Sequence, residues 1–182
     1  DIESSIVSDS NTIKSLSDSA VPMGGVLKTP AAEFATLQHV SPQFYAWATQ
    51  DPMDAPLQRL QMIKGWVDKQ GQTHESVVDI ACADGASVNP TTHRCPNTNA
   101  SVNLKTCNFS LDSGARELKP LWQDPNYDPE QSAFYYIRAI MNPTCRWSTY
   151  DAIRLNQPPS PHVPSTIQER AWSSPIWISS ND

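Results

Sequence analysis

The sequence predicts an all-β fold, an immunoglobulin-like β-sandwich with one short helix near Ser148–Leu155 and long turn-rich loops. Three observations carry that expectation. Several short runs alternate apolar and polar residues or are rich in aromatics, and clusters of Gly, Pro, Asn and Asp separate them. Sixteen prolines against six glycines then disfavour long helices, because an interior proline costs about 3 kcal/mol. Residues 1–33 read as a polar N-terminal linker or cut edge that includes the turn-forming VPMGG at Val21–Gly25. Residues 34–182 read as the β-sandwich domain with a C-terminal strand.

PQFYAWATQ alternates, with Phe44, Ala46 and Ala48 on one side and Tyr45 and Trp47 on the other, and reads as one strand. LQRLQMIKGWVD fits both a helical and a strand pattern. Gly65 and the turn residues KQGQ favour a hairpin into THESVVDIA. Asp84–Ala100 is a long turn-forming loop, and SVNLKTCNFSL after it reads as a strand. RELKPLWQD and the turn cluster PNYDPEQS lead to AFYYIRAIM, the strongest strand, in which Phe134 and Tyr136 are expected to fill the core. A tyrosine near its start has the placement of a tyrosine corner. Ser148 and Asp151 have capping-box spacing for a short helix, and IQERAWSSPIWIS ends the chain as a strand.

Composition excludes several functions. A net charge of −6 disfavours a nucleic-acid partner, which calls for a basic stripe. No apolar run approaches the ~20 residues of a membrane span. GxSxG, P-loop, GxGxxG and HExxH motifs are absent, so no catalytic residue is assigned. His39, His74, His93 and His162 are isolated, and no metal site is assigned. Asp124, Asn126, Asp128 and Glu130 alternate in DPNYDPE with an oxygen spacing that calcium could use. The glycine and terminal glutamate of an EF-hand are missing, so Asx-type turns are favoured and no cofactor is expected apart from that calcium alternative. Asp84 and Asn89 are weaker calcium candidates still. The sequons at Asn99 and Asn108 matter only in a eukaryotic secretory pathway.

Four cysteines, at 82, 95, 107 and 145, form no CxxC pair. Cys145 precedes Arg146, a pairing that raises the question of a nucleophile. However, no histidine is close in sequence and an even cysteine count favours bridges. Of the three possible pairings, Cys82–Cys95 and Cys107–Cys145 are expected, because short closures form readily and the first pins the long loop. Such bridges imply an oxidising compartment.

VPMGG, LQRLQMIKGWVDKQGQTHESVVDIAC, LWQDPNYDPEQSAFYYIRAIMNPTCRWSTYDAIR and TIQERAWSSPIW occur here in that order. In these motifs the chain resembles the C-terminal portion of the domain-of-unknown-function family 3604, which comprises larger, mostly bacterial and often exported proteins. The resemblance implies an N-terminal metal-dependent region of the polymerase-and-histidinol-phosphatase (PHP) type. None of that region's metal motifs falls on this chain. It therefore implies a periplasmic or extracellular, non-catalytic module whose partner is the catalytic region of the same polypeptide. Arg146, Trp147, Glu169, Arg170, Trp172 and Trp177 are the expected interface candidates, with packing within the domain as the alternative. A carbohydrate- or ligand-binding module using exposed aromatics is the other functional reading.

Overall fold

The computed structural model describes residues 20–28 and 41–179. The stretch read as a polar linker lies mostly outside these residues, as does His39. The described chain is all-β with a single helix, and a two-layer sandwich forms its core.

The larger layer is built on the predicted hairpin. Strands β4 (Leu57–Val67) and β5 (Thr73–Cys82) pair antiparallel through a turn in which Asp68 accepts hydrogen bonds from the Gln70 and Gln72 amides. Gly71 supplies the left-handed conformation that this turn needs, at φ +80°. Strand β8 (Ala133–Met141) pairs with the other side of β4. Beyond β8 lie β11 (Arg170–Trp172) and β12 (Ile176–Ser179), and β1 (Val26–Lys28) runs parallel to β12 at the edge. Residues 26–28, inside the stretch read as linker, thus belong to the sheet. The predicted C-terminal strand is three pieces, starting with β10 (Thr166–Ile167). It breaks where Ser173 bonds both ways with the Ile137 backbone and Pro175 follows.

The second layer consists of two ribbons. The expected single strand over PQFYAWATQ is split into β2 (Gln43–Tyr45) and β3 (Ala48–Thr49), which pair with β7 (Leu121–Gln123) and β6 (Glu117–Leu118) respectively. Phe44 enters the core against Tyr135, with ring centroids 4.5 Å apart, and Met62 and Ile178 close the cluster. Leu57, Leu60, Ala46 and Leu118 form a second cluster beside it.

Side-chain parity on β8 is the reverse of the sequence expectation. Ala133 and Tyr135 are buried in the core, whereas Phe134 and Tyr136 stand on the opposite face of the sheet. Gly65 explains the accommodation of Phe134, because a Cβ there would collide with its ring. Tyr135 is not a tyrosine corner either. Its hydroxyl donates to the Asp124 carboxylate at 2.8 Å rather than to backbone.

Two further expectations need correction. SVNLKTCNFSL is not a strand. The Asn103 carbonyl accepts from the Thr106 and Cys107 amides and its side chain accepts from the Lys105 amide, making a tight turn with Cys107 at φ +58°. Only the single bridge Val102–Phe109 remains of any ladder. The helix, α1 (Trp147–Arg154), starts at Trp147 after an extended Arg146 and has no side-chain cap. Asp151 turns forward to Arg154 at 3.5 Å instead of reaching back to form a capping box.

Cystines join Cys82 to Cys95 and Cys107 to Cys145, each with Cα atoms 5.5 Å apart. The first holds the long loop against the outer side of β5, where the Asp79 amide donates to the His93 carbonyl. The second ties the Asn103 turn to β9 (Thr144–Cys145), which pairs with β10.

Candidate functional site

Asn142 organises the end of the sheet. Nearly fully buried, it accepts from Thr98 Oγ1 at 2.9 Å and donates to the Ser113 carbonyl at 2.8 Å, while its own amide donates to Pro56. Gln58 donates to Thr98 at 3.2 Å and accepts from Gln168 at 3.1 Å. Pro143 then turns the chain out, and the β9–β10 ribbon leaves a groove of about 660 Å³ beside this amide network. Arg146, Glu169, Arg170 and Trp172 line it, so four of the six interface candidates share one surface. Arg146 Nε donates to the Pro164 carbonyl at 3.1 Å, which fastens its guanidinium to the segment leading into β10.

The other two candidates lie apart. Trp147 is 73% exposed at the start of α1. Trp177 packs on Phe134, centroids 5.3 Å apart, at the far end of the sheet, in an apolar hollow of about 750 Å³ with Trp66.

The calcium candidates do not converge. Asp124 is buried, and its Oδ2 meets Lys64 Nζ at 2.7 Å and the Tyr135 hydroxyl, while Oδ1 accepts from the Asn126 amide. Asp128 accepts the Glu130 amide, and Glu130 reaches outward to Lys69 at 3.0 Å. Asp84 accepts from Ser113 and the Gly114 amide, and Asn89 from the Thr91 and Thr92 amides. Among the described residues no three His, Cys, Asp or Glu side chains converge as a metal group would need. All four cysteines are in cystines, so Cys145 carries no free thiol beside Arg146. His74 packs on Trp66 and bonds Asp68 at 2.7 Å, and this hydrogen bond holds the Asp68 carboxyl below its ordinary value.

Lys64 is enclosed by rings, with Nζ 5.1 Å from the Trp66 centroid and 5.6 Å from that of Tyr135, and it also donates to the Asn126 carbonyl. Burial, followed by the hydrogen bond to Asp124, pushes the Tyr135 phenol far above its usual value.

The sequence did not single out a second polar cluster, on the opposite face of the sheet. Asp79, 3% exposed, accepts from Gln61 Nε2 at 2.6 Å, from the Cys95 amide at 2.7 Å and from Arg94 at 3.5 Å. Gln61 in turn accepts from Arg138 Nε and Nη2, at 2.8 and 2.6 Å. Arg59 Nε stops 3.9 Å from Asp79, and this buried nitrogen has no hydrogen-bond partner among the described residues. Arg138 shares parity with Phe134, Tyr136 and the buried Ile140, so a charged residue among aromatic and aliphatic ones left this face of the strand ambiguous in the sequence.

A family model described as a protein of unknown function (DUF3604) matches residues 1–180. The chain belongs to the DUF3604 family. No curated protein and no solved structure matches it. The DUF3604 match covers both the groove and the arginine cluster. No helix among the described residues is long and apolar enough to cross a membrane.

Proposed function

We propose that this DUF3604 chain is the non-catalytic C-terminal β-sandwich module of an exported, PHP-like metal-dependent hydrolase, supporting or shaping that enzyme's catalytic region. The observation that carries the reading is the groove. Arg146, Glu169, Arg170 and Trp172 meet on one surface, and Trp172 is 59% exposed there. An exposed indole flanked by arginines is the composition of an interface anchor. Both cystines fit an oxidising compartment outside the cytoplasm.

The test is to mix the chain with the separately produced metal-dependent region of the same polypeptide. A 1:1 complex on gel filtration is expected, weakened by Trp172→Ala and Arg146→Ala but not by Trp47→Ala. Absence of any complex, or a reading frame with no PHP-like region before Asp1, would overturn the proposal.

The alternative, a carbohydrate-binding module, draws support from Trp172 standing beside the amide side chains of Gln58, Asn97 and Gln168 in the same groove. Amides and an indole face are the groups that hold sugar hydroxyls and ring faces. Glycan binding by the isolated chain, lost in Trp172→Ala, would favour it.

A further inference from the structure

We propose that the arginine-bearing face of the central sheet, where Arg59, Arg94 and Arg138 surround the buried Gln61–Asp79 pair, is a binding site for a tetrahedral dianion. This inference is independent of the module reading and uses none of the groove residues for its core.

Register places the groups. One row across the sheet runs Trp172, Arg138, Gln61, Asp79, and the next runs Arg170, Ile140, Arg59, Cys82. Directly opposed residues in adjacent strands point to the same face, so Arg59, Arg138 and Arg170 project together from three neighbouring strands. Arg94 joins from the loop that Cys82–Cys95 fastens beside β5.

Charge counting then defines the ligand. The guanidinium groups of Arg59 and Arg94 lie 3.9 and 3.5 Å from one carboxylate, that of Asp79, and the guanidinium of Arg138 is linked to it through Gln61. Three positive charges less one negative leave a surplus of two. Arg170 lies at the margin and has Glu169 beside it in the chain. In a chain of net charge −6 this local surplus is not a by-product of composition. Like charges held together on a rigid sheet repel unless a counter-charge joins them. A monocarboxylate would leave one charge uncompensated, and a nucleic acid would need a longer basic stripe than one cluster.

Arg59 supplies the second, independent observation. Its Nε has been withdrawn from water without gaining a hydrogen bond, since 3.9 Å to Asp79 is too long for one. Gln61 and the Cys95 amide already engage Asp79, at 2.6 and 2.7 Å. Among the described residues nothing meets this donor, and an oxyanion entering the cluster supplies the acceptor. A tetrahedral oxyanion presents acceptors in several directions at once, which suits guanidinium forks arriving from separate strands and a loop.

The test is an NMR titration of the full chain with sodium phosphate at pH 8 and, separately, with sodium sulfate, at ionic strength held constant with sodium chloride. The arginine Nε–H resonances are the readout. A saturable shift at Arg59 is expected, with affinity falling about tenfold in R59Q and in R94Q, each of which loses one charge-assisted donor set. R154Q, which alters an exposed helix residue away from the face, should bind as the parent does. Equal affinity for the two anions would mean that shape and charge alone are read, and a preference would identify the natural ligand class. Either result supports the site. Shifts that do not saturate, or binding undiminished in both R59Q and R94Q with circular dichroism unchanged, would overturn it.

Discussion

Two buried aspartates on opposite faces of one sheet have been neutralised in different ways. Asp124 sits under the second layer with a single cation, Lys64, and with the Tyr135 hydroxyl and the Asn126 amide. There one charge meets one charge, inside a box of rings. Asp79 sits on the other face with three arginines, one of them reached through Gln61 and another left with an orphaned nitrogen. The first arrangement is closed and serves stability. The second holds more positive charge than the described residues neutralise, a departure from local balance that marks a place where something else binds.

The largest expected effect tests the closed side. Asp124→Ala strands Lys64 as an unpaired buried charge and should remove about 3–5 kcal/mol in urea unfolding. A loss under about 1 kcal/mol would mean that water reaches Lys64 and that the Asp124 side is as open as the Asp79 side. Asp79→Asn should cost about 2 kcal/mol, the value of charge-assisted hydrogen bonds. This variant should recover stability as salt rises, because screening relieves arginines left without their carboxylate. Salt-independent destabilisation would sever Asp79 from the arginine surplus.

Tyr135→Phe comes next, at about 1 kcal/mol near neutrality. The phenol's pKa is raised in the folded state, so its contribution is fully present below about pH 10, where the unfolded tyrosine is protonated. That contribution is lost as pH rises from there towards the folded value. Parent stability should therefore decline above pH 10 more steeply than that of the phenylalanine variant, as measured by chemical denaturation at pH 9 to 11. Smallest of all is R59Q, expected within about 0.5 kcal/mol of the parent, because the Arg59 side chain makes no hydrogen bond among the described residues. A large loss there would make Arg59 a structural residue and weaken the case for an anion site.

Much of the fold was legible where local chemistry decides. The Asp68–Gly71 turn and two alternating flanks announced the β4–β5 hairpin, and Asn142–Pro143 announced the end of β8. What local pattern could not give was which face of β8 is inside. Phe134 and Tyr136 on one side are matched by Tyr135 and Ile137 on the other, so bulk does not choose between the faces, and the partner strand, through Gly65, shows where Phe134 fits. The misreading of SVNLKTCNFSL has a similar cause. Its alternation is genuine, but Asn103 offers the backbone a competing set of hydrogen bonds and Cys107 is pulled to Cys145. For the site, Arg146, Glu169, Arg170 and Trp172 could be named from sequence. Arg59, Arg94 and Asp79 could not, because only the register and the fastened loop bring them together.

The fastened loop has a further consequence. The outer edge of β5 is polar over Thr73–Ser76 but apolar over much of Val77–Cys82, and the Asp79 amide of that second stretch donates to the His93 carbonyl in the fastened loop. The Cys82–Cys95 link thus keeps a hydrogen-bonding strand margin from serving as a template for another molecule. Reduction would bare that margin, so the same bond that steadies Arg94 also guards against edge-to-edge aggregation.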